Sequence, residues 1–183
     1  HLPKNVGVKA LNIGIKILMS KYDCEWILVL DDDSIILENS AVKKVLEQYK
    51  ALEESIRKKI FVISVSDLKS IPLTLRSWVE RTKISSSFII HSDSIIFSGA
   101  LIKTTIIKQL DVCIDNRLFL DHADTDFFNR IRKRGYITAL YLQPLLKHRL
   151  GIPLPKPIKF FHRIHSITTP YRFYYITRNA TYL

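Results

Sequence analysis

The sequence predicts an α/β domain, with a mostly parallel central sheet flanked by helices. Two apolar runs carry that expectation: Trp26–Leu30 and Ile60–Val65, both rich in Val, Ile and Leu. Runs of this length suit strands buried on both faces of a parallel sheet. Stretches with apolar residues at helical spacing alternate with them. The third observation is size: 183 residues, 47% hydrophobic and 25% charged, describe one globular domain with a real core.

In chain order, Asn5-Val6-Gly7 is turn chemistry, and Val8, Leu11, Ile15 and Leu18 then share one helical face. That helix is expected to end near Ser20–Tyr22, before the Trp26–Leu30 strand. Asn39 or Ser40 can cap a second helix running to about Arg57. Ile60–Val65 is the next strand, 67–87 an irregular excursion, and Phe88–Ile90 and Ser94–Phe97 short strands around His91-Ser92-Asp93. A helix is expected from near Ala100 to Leu110, carrying Leu101, Ile102 and Ile106. Asp121, Asp124 and Asp126 open another, with Phe127, Phe128 and Ile131 inward; carboxylates in a first turn suit the helix dipole. Gly135 ends it, Tyr136–Leu142 is a strand, and Tyr171–Tyr182 is helical after a Pro-rich, basic, aromatic stretch from Pro144. There is no internal repeat.

The Trp26–Leu30 run ends in Asp31, Asp32 and Asp33. Like charges so close repel, and near an interior each ionised group loses hydration. A divalent cation among them removes both costs, and hard oxygen donors suit Mg²⁺ or Mn²⁺. Ligands of open α/β sheets also bind outside the carboxyl ends of strands. The competing reading is an acidic strand-to-loop turn with Ser34 starting a cap.

The formal net charge of +11 belongs to the last 57 residues: every acid lies at or before Asp126, and 11 of the 28 Lys and Arg follow it. Such an end suits phosphate, nucleic acid or an anionic membrane surface. No apolar run approaches the roughly 20 residues that span a bilayer. The first residues, HLPKNVG, lack the apolar core of a signal peptide. Two cysteines, Cys24 and Cys113, make neither a disulfide framework nor a metal knuckle. A cytoplasmic protein, peripheral on the inner face of a membrane, is the expectation.

Several of these pieces stand together in a known order: Asn5-Val6-Gly7 with Ala10-Leu11-Asn12-Ile13-Gly14, then Leu30-Asp31-Asp32-Asp33-Ser34, then Ser98-Gly99. Leu118 to Asp126 follows, with Arg130 and Gly135-Tyr136, then His148-Arg149-Leu150-Gly151 and the ending Tyr171 to Asn179. In this the chain resembles family-2 glycosyltransferases of GT-A fold, nearest to rhamnosyl- and galactofuranosyltransferase-like members. The motifs are weak singly and specific in combination. Members carry a nucleotide-binding segment before the Asn-x-Gly turn, whereas this sequence starts almost on it. The expectation is therefore a GT-A-like core over residues 1–143, lacking the usual N-terminal segment. A basic, aromatic tail over 144–183 would pack across the active site.

The resemblance implies transfer of a sugar, with inversion, from a nucleotide-diphosphate donor (a UDP- or dTDP-sugar) to a hydroxyl of a glycan or lipid-linked saccharide. It makes Asp31 and Asp33 the D-x-D metal pair, with His148 as a further ligand and Mn²⁺ or Mg²⁺ as cofactor. Asp124 corresponds to the catalytic base, and Asp121 and Asp126 are its rivals. Asn5, Gly7, Asn12, Asp32, His165 and Arg172 fall to donor binding, and Ser98, Gly99 and Asp121 to acceptor binding. Arg130 would support the acidic loop. Two other readings stand beside this one. A nucleotidyltransferase is disfavoured because no Gly-rich phosphate loop is visible among only 5 glycines. A module binding nucleic acid or another anionic surface through the basic end is the second, with nucleic acid the less favoured ligand.

Overall fold

The structure, a computed structural model, describes residues 6–65, 82–91, 95–143, 145–147, 152–153, 166–167 and 169–182. Gly7, in the left-handed region at φ 56°, turns the chain into helix α1, Lys9–Lys21, with Asn12 and Ile15 buried beneath it. The helix stops where Tyr22 turns extended. Strand β1, Trp26–Val29, leads through the aspartates to a two-residue strand β2, Ile35–Ile36. Helices α2, Ala41–Lys50, and α3, Glu54–Arg57, precede β3, Ile60–Ser64. Next come β4, Phe88–His91, β5, Ala100–Lys103, and α4, Thr104–Leu110. Then α5, Ala123–Arg132, and β6, Ile137–Tyr141, complete the core elements. The short strands β7, Leu146–Lys147, β8, Ile152–Pro153, and β9, Ser166–Ile167, lead to the last helix, α6, Pro170–Ala180.

The main sheet runs β1-β5-β3-β6-β4. Only β3 and β6 pair in parallel; the β1–β5, β3–β5 and β4–β6 ladders are antiparallel. The expected mostly parallel sheet is thus corrected to a mixed, mostly antiparallel one. The physical reason is the course of the chain after the 66–81 stretch. It returns through β4 and β5 as strands of opposite sense, instead of through helical crossovers that would keep the direction.

Trp26–Leu30 is corrected with it. β1 stands last in the sheet, with Ile27 and Val29 buried, Trp26 and Leu28 half-buried and Leu30 exposed. The strand buried on both faces is β3, all five of whose residues are buried. One core lies between the sheet and α1, α4 and α5, where Phe61, Phe97, Phe127 and Phe128 pack ring against ring. The other lies under α2, built on Val45, Tyr49, Leu101, Phe88 and Tyr141.

Three further expectations change. The helix foreseen from Ala100 begins at Thr104, because Ala100, Leu101 and Ile102 fill the sheet between β1 and β3 at 1% exposure or less. A short apolar run fits either period, and the neighbouring strands decide it. The long helix to Arg57 breaks at Ala51–Glu53, where Leu52 turns into the core and Glu53 is extended (ψ 139°). Residues 95–97 are not a strand, although Ile95 and Phe97 are buried, and 92–94 lie outside the described residues. The α1, α5, β6 and α6 expectations hold to within two residues at either end. Cys24 and Cys113 are free thiols. No helix among the described residues is long and apolar enough to cross a membrane.

Candidate active site

The aspartate turn is held from below. Ser34 donates its N–H to the Asp31 carbonyl at 3.1 Å, closing the turn, and its hydroxyl meets that of Ser98 at 2.6 Å. Ser98 also accepts from the Asp31 N–H at 3.5 Å, and Gly99 N–H donates to the Val29 carbonyl at 2.9 Å. Gly99, at φ 80°, then accepts from Val65 N–H at 2.9 Å, so this segment ties the end of β1 to the end of β3. Ser98 and Gly99, expected at an acceptor subsite, are buried under the turn. Asp31, Asp32 and Asp33 are exposed above them.

β2 continues from this turn and pairs with β7, Ile35 opposite Lys147. Leu145 and Leu146 are buried in the α2 core. His148 follows Lys147 directly in the chain but lies outside the described residues, as do Asn5 and His165.

The second acidic segment is built on two non-glycine left-handed residues, Asp121 (φ 43°) and His122 (φ 62°). His122 stands at the N-cap position of α5 and gives no side-chain cap. Asp124 sits in the first turn, half-buried, and accepts Thr125 N–H at 2.8 Å. Burial pushes its carboxyl above the ordinary value, backbone N–H groups oppose that, and the Asp121 charge adds to it.

Its two rivals are paired with arginines. Arg130 bonds Asp126 at 2.8 Å and the Cys113 carbonyl at 2.9 Å, the supporting role expected of it. Arg172, from α6, grips both oxygens of Asp121 at 2.8–3.1 Å. Among the described residues Asp124 carries no ion pair. The Arg172 guanidinium is held above its ordinary value first by its bond to Asp121, then by the charges of Asp121, Asp124 and Asp31. One cation therefore feels the second acidic segment and the aspartate turn together, although some 90 residues separate them in sequence.

Two residues with donor-binding expectations are built into the scaffold. Asn12 is buried, exchanging bonds with Ile114 N–H (2.9 Å) and carbonyl (2.7 Å) and donating to Asn116 Oδ1 at 2.9 Å. Gly7 lies against the loop that leads to Asp121, and Val8 N–H bonds the Phe119 carbonyl at 3.1 Å. A Cβ on Gly7 would stand 2.2 Å from that carbonyl oxygen. Gly7→Ala combines left-handed strain with a clash against backbone, so a loss of roughly 2–4 kcal/mol is expected. That corresponds to a fall of about 10 °C in Tm. A Tm within 2 °C of wild type would show that the loop gives way freely.

Asn179, which carried no separate expectation, is fully buried and donates to the Leu120 and Asp121 carbonyls. Its signal in the sequence was its place at the end of the Tyr171 to Asn179 motif, which gave it no role of its own. A cavity of about 630 Å³ opens elsewhere, beside α2, against Trp26, Tyr49, Arg57 and Lys103; none of the candidate residues lines it.

Hard carboxylate oxygens on an exposed turn have the chemistry that a Mg²⁺ or Mn²⁺ ion accepts, with phosphates and water completing its shell. Among the described residues no group of three or more His, Cys, Asp or Glu side chains is placed to hold a metal.

No family model matches the chain. It is similar to the dTDP-rhamnosyl transferase RfbF of Shigella flexneri, 27% identical over 187 residues, or 98% of this chain and 60% of that protein. The likeness is thus to a glycosyltransferase, at a distance, and the chain spans about 60% of the relative's length.

Proposed function

We propose that the protein is a metal-dependent, inverting glycosyltransferase of GT-A type. It would move a sugar from a nucleotide-diphosphate donor, a UDP- or dTDP-sugar, to a hydroxyl of a glycan or lipid-linked saccharide. The observation that carries the reading is that Arg172, which grips Asp121, also feels the charges of Asp124 and, more weakly, of Asp31. The distant likeness to a rhamnosyltransferase supports it.

In this reading Asp31 and Asp33, with His148, hold Mn²⁺ or Mg²⁺. When bound, the ion would neutralise charge on the departing nucleoside diphosphate. Asp124 takes the proton of the attacking hydroxyl. Its environment favours the protonated form, which makes the ionised carboxylate a stronger base than an exposed one. Asn5, Gly7, Asn12 and Asp32 serve the donor side, Asn12 and Gly7 by fixing backbone. Arg172 and His165 bring positive charge toward the phosphates, and Asp121 both holds Arg172 and faces the acceptor. Ser98 and Gly99 set the height of the aspartate turn.

A thermal-shift screen of nucleotide sugars on the full-length protein tests this. A ligand at a hundred times its Kd stabilises by about 2.7 kcal/mol. The expected pattern is a shift with UDP- or dTDP-sugars that needs Mn²⁺ or Mg²⁺ and disappears with EDTA. A shift indifferent to both nucleotide and metal contradicts the proposal.

A peripheral membrane site belongs to the same proposal. Phe173 (61%) and Tyr174 (59%) are exposed on α6, in the acid-free basic end of the chain. Each Lys or Arg near an anionic surface contributes about 1 kcal/mol. Binding to vesicles should rise with the fraction of anionic lipid and fall with salt. Equal binding to neutral and anionic vesicles would remove this part of the reading.

A further inference from the structure

We infer that Asn179 is a positioning residue for Asp124: from α6 it holds the left-handed corner Asp121–His122, and through that corner it sets where the Asp124 carboxylate points. The inference rests on the base role proposed for Asp124.

Two successive non-glycine residues in the left-handed region are strained and persist only where the surroundings impose them. Here the imposing groups come from one helix. The Asn179 amide donates to the carbonyls of Leu120 and Asp121, the backbone on the entry side of the corner. Arg172, seven residues earlier and so on the same face of α6, grips the side chain of the same Asp121. Arg178 fixes the orientation of the Asn179 amide by donating to its Oδ1 at 3.3 Å, and it also bonds the Arg117 carbonyl at 3.1 Å.

Phe119 packs against the Tyr171 and Tyr175 rings of α6, at 6.5 and 5.1 Å between centroids. On the exit side Asp126 N–H bonds the His122 carbonyl at 2.9 Å, which starts α5. Asp124 stands between these fixed points, two residues beyond the corner. With the corner relaxed, its carboxylate loses its aim and gains water.

The test compares wild type with Asn179→Leu and Asn179→Ser in the full-length protein, using two independent readouts. Carboxyl-carbon NMR follows the titration of Asp124, and steady-state kinetics with a nucleotide sugar gives kcat and KM. A misplacement of about 1 Å can cost roughly 100-fold in rate. The expectation for Asn179→Leu is a kcat lowered by about that factor with donor KM within twofold. The Asp124 midpoint should move down toward the ordinary carboxylate value. Asn179→Ser keeps one donor and should fall between; if the Leu variant does not fold, the Ser variant decides by the same readouts. A folded variant that loses Tm but keeps both the wild-type kcat and the wild-type Asp124 midpoint overturns the inference, because Asn179 would then be stabilising α6 and nothing more. If the wild-type protein turns over no nucleotide sugar, the proposed function fails. The NMR arm still decides whether Asn179 sets the environment of Asp124.

Discussion

Asp124→Asn is expected to keep substrate binding and to lose turnover. Asparagine has nearly the same shape but cannot take the proton of an attacking hydroxyl. A positioned base is worth roughly 10²–10⁴ in rate, and a fall of that order in kcat is the expected result. Donor affinity should change little, because Asp31 and Asp33 are untouched. Asp121→Asn and Asp126→Asn are the controls. Their carboxylates are engaged by Arg172 and Arg130, so their loss should loosen structure before it removes a base.

The same substitution has a stability signature whose sign follows from burial. The Asp124 carboxyl is raised above its ordinary 3.8 in the folded protein. Between that value and the raised one, the native state therefore binds more protons than the unfolded chain. Stability falls as pH climbs through this window and stays lower above it. The Asn variant carries no such penalty. Its Tm at neutral pH should match or exceed that of wild type, and the advantage should vanish below about pH 3.8. A neutral-pH Tm well below wild type would mean that the carboxylate is stabilised where it sits, and the raised value would be wrong.

Asp33→Ala should abolish Mn²⁺-dependent nucleotide binding while the fold survives. Three carboxylates within one exposed turn repel, so removing one should leave the metal-free Tm unchanged or higher. The loss of affinity should exceed the roughly 10–100-fold that groups supporting a metal ligand are worth. Calorimetry of Mn²⁺ and nucleotide binding, with variant and wild type side by side, reads both quantities. Unchanged affinity would take Asp33 out of the site.

Much of the layout was legible because local signals agreed with the tertiary outcome. Gly7 and Gly135 both adopt positive φ where the turn and the helix end were expected. Phe127, Phe128 and Ile131 are buried as their spacing indicated. Strand direction was not legible. Trp26–Val29 is as apolar as a central parallel strand, yet it ends an antiparallel ladder, since pairing depends on the distant Ala100–Lys103 segment. That segment hides its own strand for the same reason, its short apolar run being compatible with either period.

At the site, the pairing of Arg172 with Asp121 spans 51 residues, and no spacing rule reaches that far. The two acidic segments were each visible as clusters. What chain order could not show is which of Asp121, Asp124 and Asp126 has no arginine beside it among the described residues. Ser98-Gly99 was legible as a motif, but its burial under the aspartate turn is a property of the folded chain.

The most direct test of the central claim is product analysis with the full-length protein, a UDP- or dTDP-sugar and a hydroxyl acceptor. Release of nucleoside diphosphate would be followed alongside the anomeric configuration of the new bond by proton NMR. The expected result is transfer that requires Mn²⁺ or Mg²⁺, stops with EDTA, and gives a product inverted relative to the donor. Transfer that proceeds fully in EDTA, or that retains the donor's configuration, would contradict it.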